Sequence, residues 1–526
     1  MIEVITRGEA LVDARDRVVD EAVAAGLPSA IVAKDAALWG QEATAEAAIR
    51  LGWLDVTRAS RPLLPRITAL RDELRAEGVD HVVLAGMGGS SLAPEVITRT
   101  YGVELTILDT TDPGQVGAAL ADRLDRTVVV VASKSGSTVE TDSHRRIYEQ
   151  AFQAAGIDPA RRIVVVTDPG SPLEQTATAA GYRAVFTADP HVGGRYSALT
   201  AFGLVPSGLA GAPIDELLDQ AAAVETALGG LQHNPALLLG AAVGGAARAG
   251  HDKLVIADAG SGISGLGDWI EQLVAESTGK QGRGVLPVVV ENVDAPGFAP
   301  TDDTHPVTIG GTALDLGTTV TGPLGAQFLV WEFATAVAGW AIGIDPFDQP
   351  NVQESKDNTN KVLDEGLPAE TAAYADGPVE VYADRALLGD AADVAGALGR
   401  LVAAVPERGY LAVMAYLDRL TDEDAAGLRA RLARRTRHPV TFGWGPRFLH
   451  STGQFHKGGP QVGAFLQVTA APDGKVDVPG RPFDLATLQA AQAAGDRQAL
   501  LSRGRPFLRL HLTDRAAGLR RLLDVA

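Results

Sequence analysis

His81-Val82-Val83-Leu84-Ala85 runs without a break into Gly86-Met87-Gly88-Gly89-Ser90-Ser91-Leu92-Ala93-Pro94. An apolar, β-branched run that ends in glycines and then opens a helical stretch reads as a buried parallel strand delivering a loop to its C-terminal end. The pattern recurs. Thr127 to Ala132 leads into Ser133-Lys134-Ser135-Gly136-Ser137-Thr138, and Arg162 to Thr167 is followed by another helical stretch. Repetition of strand, loop and helix predicts an α/β fold with parallel sheets and crossover helices.

A second unit starts near Asp215, with strands at Lys253 to Ala257 and Val285 to Val290 and a helix from Leu266 to Ser277 between them. The apolar stretch Leu324 to Ile344 is broken by Gln327 and Glu332, so it reads as a buried helix rather than a membrane span. A third α/β unit follows a Gly/Pro-containing boundary near 365 to 376, with strands at Tyr410 to Met414, Val440 to Trp444, Gly463 to Thr469 and Pro506 to Leu512. The expected division is 1–60 as an N-terminal helical segment, 61–214 and 215–365 as two αβα units, and 366–526 as a C-terminal α/β domain. At ~100 to 200 residues per domain, the 526-residue chain has room for about three.

Apolar residues make up 46% and charged ones 21%, which suits a packed core and speaks against disorder. The net charge of −19 disfavours nucleic acid and anionic membranes as partners. An anionic small substrate must therefore be held by local donors. The chain has no Cys, which excludes disulfides, thiolate nucleophiles and Cys-ligated metal. Its first residues lack the order of a secretory signal, so a cytoplasmic location is expected.

Four hydroxyls and an ammonium between Ser133 and Thr138, at a helix N-terminus, exceed what capping needs and suit a phosphomonoester. Gly86 to Ser91 fits either a tight turn or a second part of the same cradle. Gly260-Ser261-Gly262-Ile263-Ser264-Gly265 matches a dinucleotide fingerprint in letters, but Glu291 lies too far along to be its ribose acid. Glu276 falls at the rim of the apolar stripe Leu266, Trp269, Ile270, Leu273 and Val274, a position open to a general base or to a solvated last-turn acid. Arg195, between a Gly pair and Tyr196, suits stabilisation of a developing oxyanion, or else a surface ion pair. Gln349 and Lys356 lie near the ends of a turn into a helix, and His450 and His456 share a glycine-rich loop that is a poor metal site.

Gly86 to Ser90, Ser133 to Thr138, Gly193-Gly194-Arg195-Tyr196-Ser197, Glu276-Ser277-Thr278-Gly279-Lys280 and Pro346-Phe347-Asp348-Gln349 with Lys356 resemble, in order, the motifs of the phosphoglucose isomerase family. The resemblance covers roughly 80 to 360 and implies two sugar-isomerase (SIS) domains and no cofactor. It further implies interconversion of glucose 6-phosphate and fructose 6-phosphate, in glycolysis and gluconeogenesis. It assigns Gly89, Ser90, Ser133, Lys134, Ser135, Thr138 and Gln349 to the sugar phosphate. Glu276 becomes the proton shuttle, Arg195 the enediolate stabiliser and Lys356 a group at the ring oxygen.

The chain departs from the family in its ring-opening histidine, which the pattern places between the Glu and Lys motifs and typically takes from a neighbouring subunit. That interval holds only Thr304-His305-Pro306. Leu449-His450-Ser451-Thr452-Gly453-Gln454 comes after Lys356 instead, as in the isomerase half of fused transaldolase–phosphoglucose isomerases. The expectation is that His450 opens the ring from the chain's own C-terminal domain, with His305 as the alternative. The chain is then expected to be a homo-oligomer, or a monomer if His450 is supplied in cis. An isomerase or deaminase of amino sugar phosphates and a non-enzymatic SIS sensor are the competing readings.

Overall fold

The structure is a computed structural model describing residues 2–526. Its first sheet runs, in spatial order, Thr106–Leu108, His81–Gly86, Thr127–Ala132, Ile163–Thr167 and Ala184–Thr187, with every pairing parallel. Each residue of the three central strands is buried, as a β-branched strand covered on both faces must be. From His81–Gly86 the chain passes to Thr106–Leu108 on one side and returns to Thr127–Ala132 on the other. The order therefore reverses between His81–Gly86 and Thr127–Ala132, and a crevice opens at their C-terminal ends. The Gly86–Ser91 and Ser133–Thr138 loops flank that crevice.

The second sheet is ordered Glu3–Arg7, Gly317–Thr321, Thr304–Ile309, Lys253–Asp258, Leu286–Val290. Here the expected N-terminal helical segment needs correction. Glu3–Arg7 is an edge strand paired antiparallel with Gly317–Thr321, and helix begins only at Glu9–Ala24. Val4, Ile5 and Thr6 are β-branched, and the partner that fixes them lies some three hundred residues away. The helix Leu324–Ile342 is the buried centre of this half, packed on Pro235–Arg248 and Ile214–Leu228. A Cβ on Gly240 would sit 2.5 Å from the Ala334 carbonyl oxygen, so glycine is what lets the two helix backbones approach. Among the described residues, no helix is long and apolar enough to cross a membrane.

The third sheet is ordered Tyr374–Asp376, Val379–Tyr382, Phe507–Leu512, Gly463–Ala470, Tyr410–Tyr416, Val440–Trp444. Its first two strands form an antiparallel hairpin that the composition did not announce, and the last four strands are mutually parallel. This domain buries apolar surface against both other sheets. Tyr410, Met414, Phe448 and Phe465 pack with Val255, Leu286 and Val288 of the second, while Val478, Leu485 and Leu488 join Val83, Val129 and Val131 of the first. That docking carries the His450 segment to the crevice.

Candidate active site

At the crevice, Ser133 Oγ donates to Thr138 Oγ1 at 3.2 Å and accepts from the Gly136 N–H at 3.1 Å, while the Ser135 and Ser137 hydroxyls share a 2.7 Å bond. Thr138 precedes the helix Val139–Ala154 without capping it. The first-turn N–H groups are thereby left for an anion at the positive end of the helix. Lys134, the expected cation for the phosphate, has its Nζ 2.6 Å from Asp168 Oδ2 and 3.3 Å from the Pro190 carbonyl, so a bound phosphate would share it with Asp168. Burial raises the Asp168 carboxyl, and the Lys134 contact opposes that shift.

The glycines of the neighbouring loop are needed for crossing chains. Gly88 has φ +54°, and a Cβ there would lie 2.8 Å from the His450 carbonyl oxygen. A Cβ on Gly89 would lie 2.0 Å from the Gly194 carbonyl oxygen. Gly89→Ala must push the Arg195 segment away, since neither contact atom is a movable side chain. We expect it to reduce the melting temperature by about 1–3 °C, as overpacking of about 1–3 kcal/mol does in a chain of this length. A near-native melting temperature in calorimetry would contradict this packing.

Arg195 is buried behind that loop and uses its whole fork. Nε donates to Ser277 Oγ at 2.7 Å, Nη1 to Gln349 Oε1 at 2.8 Å, and Nη2 to the carbonyls of Pro346 at 2.8 Å and Asp348 at 3.0 Å. Glu276 Oε1 stands 3.5 Å from Nη1, and its other oxygen accepts from Gln272 Nε2 at 3.1 Å. Glu276, Arg195 and Gln349 are therefore neighbours, with the Gln349 carbonyl oxygen held by Arg195. Lys280 ties down the same turn, donating to the Asp345 and Asp348 carbonyls at 2.7 and 2.6 Å. Burial first, and then the Arg195 charge, pushes its ammonium down to about 8 against the pull of Asp348.

His450 completes the arrangement from the third domain. Its Nε2 lies 2.9 Å from Glu140 Oε1, which also accepts from Gln492 Nε2 at 2.6 Å. Burial pushes the Glu140 carboxyl up, but the His450 charge and hydrogen bond outweigh it and hold the group below the usual carboxylate range. An ionised carboxylate only accepts, so Nε2 donates to it and Nδ1 is left for a substrate. Sequence reasoning passed over Glu140. The available signal was an acidic residue in the first turn of the helix after the hydroxyl loop, on its buried side.

Ser137, Thr138, Glu140, Lys356, His450 and Gln492 line one small cavity of about 80 Å³, so the structure brings Lys356, on the helix Val352–Glu365, to the same place. Gln272 Nε2 also donates to the His450 carbonyl at 2.8 Å, joining the Glu276 and His450 segments through one amide. Gln454 adds a second tie, donating to the Gly279 carbonyl and accepting from the Asn351 N–H, each at 2.9 Å. His305 is elsewhere, buried in Thr304–Ile309 against Thr318, and burial lowers it to about 3. His456 is a core residue bonded to the Tyr410 hydroxyl. The Gly260–Gly265 loop is folded back on Asp258, and Glu291 pairs with Arg429.

Parallel sheets with a hydroxyl loop at the switch point define a protein of the sugar-isomerase (SIS) fold class. Residues 71–283 match the family model for phosphoglucose isomerase. That segment contains the Ser133 loop, Arg195 and Glu276, and stops short of Gln349, Lys356 and His450. Curated glucose-6-phosphate isomerases from Cyanothece sp. and Acaryochloris marina are 34% identical over 236 residues and 38% over 211, covering 43% and 38% of this chain. The alignments span 44% and 40% of those relatives, less than half their length. Among solved structures, a hypothetical protein from Thermus thermophilus has a TM-score of 0.60 over 69% of this chain and 100% of its own. A glucose-6-phosphate isomerase from Chlamydia trachomatis scores 0.52 over 62% and 76%, and both are 22% identical, a likeness of fold.

Proposed function

We propose that this chain interconverts D-glucose 6-phosphate and D-fructose 6-phosphate, in the cytoplasm and without a cofactor. The observation that carries this reading is the single Gln272 amide that donates to Glu276 at 3.1 Å and to the His450 carbonyl at 2.8 Å. It sets a base, the adjoining Arg195 and a His/Glu pair on one crevice beside the anion-binding loop. The division into units 61–214, 215–365 and 366–526 belongs to the same reading, with the last unit supplying the histidine in cis.

The substrate phosphate lies on the Ser133, Ser135 and Thr138 hydroxyls and the helix N-terminus behind them, with Gly89 and Ser90 beside it. His450, oriented by Glu140, moves the proton between the anomeric hydroxyl and the ring oxygen, and Lys356 neutralises charge there as the ring opens. Glu276 removes the proton from C2 and returns it to C1. Arg195 is positive, buried and fixed by four hydrogen bonds, so it meets the developing enediolate without reorganising. Lys280 positions the Asp345–Asp348 turn on which Arg195 rests.

The test is a coupled assay of fructose 6-phosphate conversion run in deuterated water. Isomerisation with deuterium appearing at C2 of glucose 6-phosphate is expected. Absence of both removes the proposal, and isomerisation with no exchange at any time point would remove the enediolate route.

A further inference from the structure

The third domain holds a second polar cavity, of about 310 Å³, near the lower end of the ~300–1,000 Å³ usual for small-molecule sites. Its floor is the face of three neighbouring parallel strands, presenting Tyr416, Gln467 and Arg509. The helix Leu485–Leu501 forms a wall with Gln489 and Arg497, and its alanines leave the space open. Glu370, on the linker before the third sheet, stands at the mouth.

Two features distinguish this cavity from a packing defect. First, Tyr416 Oη, Gln467 Oε1, Gln489 Nε2 and Arg509 Nε are buried without a hydrogen-bond partner. Gln467 is 0% exposed and Tyr416 1%, so their polar atoms are not relieved by bulk water. The Gln467 amide is oriented, because its Nε2 donates to the Ala493 carbonyl at 2.9 Å and leaves the oxygen unmatched. Buried polar groups in native proteins are paired, and four that face one cavity are placed to bind a polar occupant.

Second, two guanidinium groups meet at the cavity. Arg497 Nη1 and Arg509 Nη2 both donate to Glu370 Oε2, at 2.6 and 2.7 Å, and Glu380 is the other acid that acts on Arg509. An occupant with an anionic group would accept from the unmatched Arg509 Nε and compete with Glu370 for the guanidinium pair, and hydroxyls would answer both the donors and the acceptor.

We propose that this cavity binds a small hydroxylated organic anion, carrying a carboxylate or a phosphate on Arg497 and Arg509 and hydroxyls on Tyr416, Gln467 and Gln489. The site is distinct from the isomerase crevice and does not depend on the activity proposed there. Gln492, on the other side of the same helix, donates to Glu140, so the occupant lies one helix away from the His450 pair.

Calorimetric titration of the full chain with D-gluconate, glycerol 3-phosphate and neutral sorbitol tests the site and separates carboxylate from phosphate. At least one anion should bind, and sorbitol should bind at least about tenfold more weakly, as loss of a charge-assisted contact requires. Arg509→Gln and the cavity-filling Ala490→Phe should each weaken that anion by a similar factor while leaving basal turnover intact. Ser133→Ala, in the other site, should leave its affinity unchanged. Sorbitol binding as tightly as the anions, no binding by either anion, or affinity unaltered in Arg509→Gln and Ala490→Phe would each overturn the assignment. The sorbitol comparison needs no variant and stands even if a substitution disturbs folding.

Discussion

Glu276→Gln is expected to lower kcat by about a thousandfold, the scale of a lost general base, with fructose 6-phosphate binding retained. Glutamine has the shape of the carboxylate and can still accept from Gln272 Nε2. Arg195 loses only the 3.5 Å charge contact and keeps Ser277, Gln349 and the Pro346 and Asp348 carbonyls, so the crevice should not collapse. What disappears is the capacity to take a proton from C2. Deuterium incorporation should therefore fall in step with turnover, because both pass through the same abstraction. A sensor on the same fold would behave differently, since it binds sugar phosphate without needing a base. Loss of less than tenfold in the variant would remove Glu276 from the proton-transfer role.

The parts of this site that were legible in the sequence are those in which a local pattern has one physical solution. A β-branched run ending in glycine and serine can be covered on both faces only in a parallel sheet, and its loop then emerges at the end where ligands bind. Ser133 was found that way, Glu276 by its place at the rim of an apolar helix stripe, and Arg195 by the Gly pair and Tyr196 around it. Other features depend on partners distant in sequence. The Asp168 partner of Lys134 lies on the next strand's loop, and Glu140 acquires a role only when His450, 310 positions later, meets it. Glu3–Arg7 becomes a strand because Gly317–Thr321 offers it an edge. Thr106–Leu108, at three residues, is too short to show a period at all. The unmatched atoms of Gln467 and Gln489 were equally invisible, since satisfaction of a buried amide is a property of packing.

His450→Ala should reduce turnover of the ring-closed substrate about a hundredfold or more, at the lower end of general acid–base contributions, and spare an open-chain analogue. The selectivity follows from position. His450 lines the cavity with Lys356 and Thr138, and Glu140 fixes its ring, whereas Glu276 and Arg195 lie beyond it, across the Gln272 amide. Glu140→Gln should show the same preference at smaller amplitude, because glutamine removes the charge that orients the imidazole but can still accept its N–H. Equal losses on both substrates would assign His450 to the proton-transfer step or to folding. His305→Ala should be active on both, since that ring is buried in a strand against Thr318. A loss confined to His305→Ala would transfer the role there. The route by which His450 arrives gives a separate check. The bonds from Gln272 and Gln454 that place it join segments of the same chain, and delivery in cis predicts a complete site in each molecule. Mixing inactive Glu276→Gln and His450→Ala chains, with unfolding and refolding to exchange any subunits, should yield no activity above the sum of the two. A site shared between subunits would instead regenerate intact pairs of Glu276 and His450, and recovered turnover in the mixture would refute delivery in cis.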